Sequence, residues 1–122
     1  MLHNKPKAAA VYIRTATDNA DAVQNQKEML YVYSKDHGYD DLRTYIDCGH
    51  TGNKINRPAL NVLTNDINDG IVNTVIVKDL SRISRSILDT ILWVDSIYSK
   101  AMVISVQDNL NVNDFRKYLK YK

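Results

Sequence analysis

Two short apolar runs constrain the fold of this chain more than any other feature of its sequence. Residues 8–13 form an unbroken apolar run, and residues 72–77 form a run that is almost entirely β-branched. Buried parallel strands have this composition because helices cover both faces of their sheet. Both runs are followed by cationic and hydroxyl-bearing residues. The pattern therefore predicts two strands whose carboxyl ends carry polar chemistry.

The remaining segments alternate between helix and strand patterns. Helices are predicted from residues 18–21 to 37–38, from Pro58 to Gly70 and over residues 86–99, and further strands over residues 43–46 and 101–106. Gly38 and Gly70 suit the residue that closes a helix, and Pro58 suits a first helical turn. Strands separated by helices imply an α/β fold, a three-layer α/β/α arrangement with a mainly parallel central sheet of four to five strands.

Length and composition indicate one globular domain. Of its 122 residues, 44% are hydrophobic and 25% are charged, as in ordinary globular proteins. A chain of this length can bury a core without the help of disulfide bonds or a structural metal. The domain is assigned to residues 1–112. Residues 113–122 are a basic C-terminal tail, interpreted either as the truncated start of a further element or as a frayed terminus.

The absence of a recognisable targeting signal and the cysteine content favour a cytoplasmic protein. No apolar run is long enough to span a bilayer, and the N-terminal residues lack the apolar core of a signal peptide. The single Cys48 cannot form an internal disulfide, which agrees with a reducing compartment. We expect it to be a small, half-buried residue.

A candidate anion site follows the first apolar run. Arg14 and Thr15 are followed by Ala16 and Thr17, where a strand end is expected to open into a helix N-terminus. Such junctions bind anions in α/β folds because unpaired backbone N–H groups and the helix dipole point there. The segment predicts a phosphate site with a methyl group where a nucleophile would be expected. A solvated arginine in an ordinary loop is the alternative explanation.

A second cationic signal follows the β-branched run. Arg82 and Arg85 are three residues apart, so on a helix both guanidinium groups could reach one anion. The planar guanidinium group can donate two parallel hydrogen bonds to phosphate oxygens. A solvated basic turn is the alternative. Arg57 is a further phosphate ligand if the Gly-containing loop before it folds over the sheet, and Asp47 is placed to orient one of these arginines.

Four segments follow one another in a recognisable order. They are residues 12–17 for Tyr-x-Arg-Val-Ser-Thr with Gln26 as the glutamine of the first helix, residues 47–52 for Asp-x-Gly-x-Ser-Gly, residues 56–60 for an Arg-Pro segment, and residues 75–85 for Leu-(Asp/Ser)-Arg-Leu-x-Arg. They resemble the motifs of the catalytic domain of serine recombinases, the family of resolvases, invertases and large transposon integrases, with Ser81 in the large-recombinase form. The resemblance covers about residues 12–113.

The resemblance implies site-specific DNA strand transesterification. In this family a serine hydroxyl attacks a phosphodiester and forms a 5′-phosphoseryl linkage, with neither metal nor cofactor. Phosphoryl transfer depends on positioning and charge neutralisation, which a guanidinium cluster can supply. Carried over by motif, the residues that contact the scissile phosphate are Arg14, Arg82 and Arg85, with Arg57 as a further phosphate-binding residue and with Asp47 and Gln26 in support.

The resemblance also implies partners. The full-length protein is expected to bind DNA and to form a homo-oligomer, either a dimer or a tetramer, without any membrane association. The family normally continues into a long helix that pairs subunits and then into DNA-binding domains. Without them, this fragment is expected to be a monomer or a poorly specified dimer with weak or absent DNA affinity.

The sequence departs from the family pattern at Ala16, which occupies the position of the nucleophile. Alanine has no lone pair with which to attack phosphorus, so the domain is predicted to be inactive as written. The leading explanation is an engineered or natural Ser→Ala loss that leaves a DNA-binding domain. A shifted nucleophile, Thr17 or Thr15, is disfavoured because attack geometry tolerates little displacement. The third explanation is a domain that never acted on DNA.

Two other function classes remain open. One is a non-catalytic partner that assembles with active recombinase subunits. The other is a phosphate-binding or signalling domain of flavodoxin-like alternation, for instance a phosphoacceptor receiver. A receiver holds magnesium with carboxylates clustered at strand ends, whereas here arginines follow the strands. Neither Gly-x-Gly-x-x-Gly nor a P-loop is found in the sequence, which gives nucleotide binding little support.

Overall fold

A five-stranded sheet organises the fold. The computed structural model describes residues 8–16, 19–49 and 57–108, and the backbone alone of residues 110–111. The strands are β1 (Ala8–Thr15), β2 (Leu42–Cys48), β3 (Val72–Val77), β4 (Met102–Ser105) and β5 (Leu110–Asn111), in the order β2-β1-β3-β4-β5. All neighbours pair in parallel except β4 and β5, which are antiparallel. This confirms the predicted sheet, with the two apolar runs adjacent inside it.

Within the described ranges, three helices flank the sheet, as predicted. They are α1 (Ala20–Asp36), α2 (Pro58–Asn68) and α3 (Ile87–Ile97), and a short 3-10 turn (Leu80–Arg82) precedes α3. The Asn19 side chain caps α1 and the Ser86 side chain caps α3, each by accepting hydrogen bonds from backbone N–H groups of the first turn. Gly38 and Gly70 adopt φ of 88° and 80°, the left-handed conformation expected after a helix.

The core consists of two apolar clusters, one on each face of the sheet. Successive side chains of β1 point to opposite faces. Ala8, Ala10 and Tyr12 pack in the cluster that contains residues of α2 and α3. Ala9, Val11 and Ile13 pack in the cluster that contains Leu30 of α1. Burial on both faces explains why β1 needs an unbroken apolar sequence, and it produces the three layers.

Some expectations differ from the structure or fall outside it. Cys48 is exposed, so the expectation that it is half-buried was wrong; it ends β2, which lies at the edge of the sheet. Thr17, Asp18, residues 50–56 and the tail 113–122 lie outside the described residues. None of the helices in the described ranges combines the length and the apolar character that crossing a membrane requires.

Candidate phosphate-binding site

Strand pairing brings the first and second cationic segments together. β1 and β3 are parallel neighbours, so Arg14 near the end of β1 lies beside the turn that follows β3. Arg82, in that turn, donates a hydrogen bond from Nη1 to the backbone oxygen of Arg14 at 3.0 Å. Residues 68 positions apart in sequence thereby meet at the carboxyl edge of the sheet.

Arg14 lies within the electrostatic range of all three other predicted arginines. Burial lowers the pKa of Arg14, and the positive charges of Arg57, Arg85 and Arg82 lower it further, in that order. Repulsion among grouped cations disfavours the charged form, and a bound anion would relieve it. The structure thus brings together the four arginines that the sequence singled out. Their contact with phosphate remains a prediction.

The expected geometry of the Arg82 and Arg85 pair was wrong. The 3-10 turn ends at Arg82, and Arg85 lies in the segment before α3, so the two do not share a helix face. The reason is local, because Ser84 Oγ accepts a hydrogen bond from the backbone N–H of Ser86, which itself caps α3. The chain starts a new helix instead of extending the turn.

A cavity of about 510 Å³ lies beside Ala16. Gln26 and Arg82 line it, as does Ala16, whose own surface is exposed. Gln26 is only 7% exposed, and its Oε1 has no hydrogen-bond partner within the described part of the chain. Lys78 and Gln107 also line the cavity, and neither was predicted as a site residue. Their position directly after β3 and close after β4 was the available signal.

Asp47 supports the site through the backbone of α2. Its Oδ1 accepts from the N–H of Ala59 at 2.8 Å, and its Oδ2 accepts from the N–H of Leu60 at 3.1 Å and from the hydroxyl of Tyr12 at 2.7 Å. Arg57 immediately precedes α2, and its own side chain does not cap the helix. Asp47 therefore closes the helix N-terminus and fixes the chain at Arg57, which is itself 9% exposed.

Across the described residues, no three His, Cys, Asp or Glu side chains lie together in a way that could hold a metal ion. The carboxylate of Asp47, at the end of β2, has both oxygens engaged by α2 and Tyr12. What the edge offers is guanidinium groups, amide side chains and a lysine, which suits the binding of an anion.

Two buried tyrosines, Tyr12 and Tyr45, donate hydrogen bonds to carboxylates, and we therefore expect the folded domain to lose stability at high pH. Burial and then the hydrogen bond to Asp47 raise the pKa of Tyr12 well above its ordinary value of 10.0, and burial and the hydrogen bond to Asp66 raise that of Tyr45. The folded state keeps these protons above pH 10, whereas the unfolded state releases them. The free energy of unfolding should therefore fall by about 1.4 kcal/mol per pH unit for each tyrosine.

Tyr12→Phe and Tyr45→Phe test this pH dependence. Urea unfolding at several pH values between 9 and 11.5 should show half the slope in either single variant and almost none in the double variant. An unchanged slope in Tyr12→Phe would contradict the assigned burial of its hydroxyl.

Arg14→Met is expected to stabilise the chain in the absence of anions. The variant removes one of several cations that repel one another and replaces the aliphatic part of the side chain with an apolar one. The melting temperature should rise by roughly 2 °C in phosphate-free buffer. Inorganic phosphate should then stabilise the variant less than the original chain. A lower melting temperature in phosphate-free buffer would argue that Arg14 is instead paired within the fold.

Several known proteins are similar to this chain. The N-terminal catalytic domain of TP901-1 integrase is 31% identical, with a TM-score of 0.80 over 94% of this chain and 92% of that one. A Bacillus subtilis (strain 168) protein named "Putative DNA recombinase" is 30% identical over 92 residues, 72% of this chain but 18% of that protein. "Uncharacterized immunity region protein 3" of Bacillus phage phi105 is 33% identical over 76 residues, 59% of this chain and 93% of that protein.

The parallel sheet, the arginines at its carboxyl edge and these likenesses define the class, which is that of serine recombinase catalytic domains. The family model "Resolvase, N terminal domain" matches residues 9–119. The chain belongs to this family, which confirms the resemblance drawn from its motifs. It spans less than a fifth of the B. subtilis relative.

Proposed function

We propose that this chain is the catalytic-type domain of a site-specific serine recombinase that binds a DNA phosphodiester but cannot cleave it, because Ala16 replaces the nucleophile. The observation that carries the proposal is the 3.0 Å contact between Arg82 and the backbone of Arg14, next to a cavity lined by Ala16 and Arg82, with Arg57 and Arg85 within electrostatic range of Arg14. Guanidinium groups gathered at one place stabilise the charge that develops on a phosphoryl group during transfer.

In the complete reaction, a hydroxyl at position 16 would attack phosphorus, form an oxygen–phosphorus bond and release the 3′-oxygen of the neighbouring nucleotide. The leaving oxygen takes up a proton, and the 5′-phosphate stays attached to the protein. Arg14, Arg82 and Arg85 hold the phosphate and Arg57 contacts it from the position just before α2, with Asp47 and Gln26 in support. The methyl group of Ala16 cannot take the first step.

Thr15 does not replace the missing hydroxyl in this proposal. Thr15 also lines the cavity, but it belongs to β1 and is only 6% exposed, whereas Ala16 is exposed. A nucleophile has to approach phosphorus to about 3–3.5 Å in line with the leaving oxygen, and a buried strand residue cannot make that approach.

Ala16→Ser tests the proposal. A longer protein that includes the subunit-pairing helix and the DNA-binding region should form a covalent adduct with a suicide DNA substrate, which denaturing electrophoresis detects as a shifted band. Ala16→Gly is the matched control, since it changes the same backbone position without adding a hydroxyl. No adduct in Ala16→Ser, under conditions where an active relative forms one, would overturn the proposal.

A second candidate function is a non-catalytic partner of active recombinase subunits. The phage phi105 relative favours it, because the region matched by this chain makes up 93% of that protein, whose name refers to an immunity region. Mixed oligomers with a defective site would be inactive. Co-expression with an active serine recombinase should lower recombination in proportion to the amount of this chain. Either role places the protein in the cytoplasm with its DNA.

A further inference from the structure

The 3-10 turn that carries Arg82 begins with a carboxylate whose two oxygens contact different groups. Asp79 Oδ1 accepts from the backbone N–H of Ser81 at 3.0 Å and from the Ser81 hydroxyl. Asp79 Oδ2 lies 3.4 Å from Nε of Arg82. One oxygen thus closes the N-terminus of the turn, while the other faces the guanidinium group.

The contacts of Arg82 restrict its guanidinium group on two sides. Nη1 donates to the backbone oxygen of Arg14 at 3.0 Å. Nε is buried and, in the part of the chain that the structure describes, has no hydrogen-bond partner, so its contact with Asp79 is electrostatic. These contacts leave Nη2 and the second Nη1 proton for an anion in the cavity that Arg82 lines.

We propose that Asp79 is a positioning residue that orients Arg82 toward the phosphate, an inference that rests on the phosphate-binding function proposed above. The negative charge of Asp79 supports this role. A carboxylate beside an anion site repels the anion, and serine or asparagine would close the turn without that repulsion. The negative charge is accounted for if it holds the guanidinium group in one orientation.

Asp108 provides a matched control in the same region. Its Oδ2 accepts from the backbone N–H of Leu80 at 3.4 Å and from the hydroxyl of Ser105 at 2.6 Å. It therefore also supports the start of the turn, but it does so at Leu80, two residues before Arg82. A variant at Asp108 perturbs the turn without removing the carboxylate that faces Arg82 Nε.

NMR of the full 122-residue chain can separate orientation from capping. Asp79→Asn keeps a side-chain oxygen that can cap the turn and removes the charge. The Arg82 Nε–H signal should exchange with water roughly 10-fold faster in Asp79→Asn than in the original chain, and less than about 2-fold faster in Asp108→Asn. Melting temperatures of both variants show whether the fold is retained.

Titration with the dinucleotide d(TpT) gives the second readout. If Asp79 orients Arg82, Asp79→Asn should bind d(TpT) about 5-fold more weakly, although it carries one negative charge fewer. Equal or tighter binding by Asp79→Asn, or equal acceleration of exchange in Asp108→Asn, would overturn the positioning role. Because weak affinity is expected of this fragment, the titration extends to high ligand concentration. If the original chain then binds neither d(TpT) nor inorganic phosphate, the proposed function fails, while the exchange measurement still tests the orientation of Arg82.

Discussion

Asp47→Ala should lower the free energy of unfolding by about 3 kcal/mol, one of the two largest effects expected of a single substitution in this domain. The variant removes the cap of α2, an interaction typically worth about 1 kcal/mol. It also leaves the hydroxyl of Tyr12, which is 0% exposed, without its acceptor, at a cost of about 1–3 kcal/mol. For a domain of this size the melting temperature should fall by roughly 10 °C.

Asp66→Ala is the control for this prediction. Asp66 also accepts a hydrogen bond from a tyrosine hydroxyl, that of Tyr45, at the same distance of 2.7 Å. It lies within α2 and caps no helix N-terminus, so its loss should cost only about 1 kcal/mol. Urea denaturation of both variants gives the comparison. Equal losses would show that the three hydrogen bonds of Asp47 contribute no more than one.

A double variant separates the two parts of the Asp47 effect. Tyr12→Phe in the Asp47→Ala background removes the stranded hydroxyl and should recover part of the lost stability, whereas the uncapped N-terminus of α2 stays uncompensated. Additive losses would mean that Tyr12 finds another partner once Asp47 is gone.

The fold was predictable because the sequence of a strand shows directly whether both of its faces are buried. Residues 8–13 and 72–77 need apolar side chains at every or nearly every position, so the sequence shows where the centre of the sheet lies. The ends of α1 and α2 were predictable from Gly38 and Gly70, whose positive φ is tolerated best by glycine.

The candidate site was predictable as a set of residues but not as a geometry. Arg14 lies near the end of β1 and Arg82 follows β3, and neighbouring parallel strands end at one edge, so their meeting followed from topology. The contacts of Asp47 did not, because a carboxylate at a strand end can bind an arginine or cap a helix and the sequence pattern is the same. The separation of Arg82 from Arg85 depended on hydrogen bonds of Ser84 and Ser86, which helix periodicity does not register.

Arg82→Ala should weaken binding of a short single-stranded oligonucleotide roughly 10- to 100-fold, the range that corresponds to losing charge-assisted hydrogen bonds. Arg82→Lys keeps the charge and loses the planar group, so it should recover only part of the affinity. Lys100→Ala is the control and should change the affinity less than about 2-fold, because Lys100 lies in the turn after α3, where its Nζ donates to Asn68. Fluorescence anisotropy measures all three.

The salt dependence of the same titrations distinguishes a converging cluster from a spread surface. If the four arginines serve one phosphate, raising salt from 50 to 200 mM should weaken binding about 3-fold, because the slope counts neutralised phosphates rather than arginines. Four separate phosphates would give a loss of about 50-fold over the same range. Arg82→Ala should then reduce the affinity and leave the slope nearly unchanged, since Arg14, Arg57 and Arg85 still face that phosphate. A slope that drops by a quarter in Arg82→Ala would instead mean that each arginine contacts its own phosphate. In that case the site beside Ala16 would not bind a single reacting diester with all four arginines.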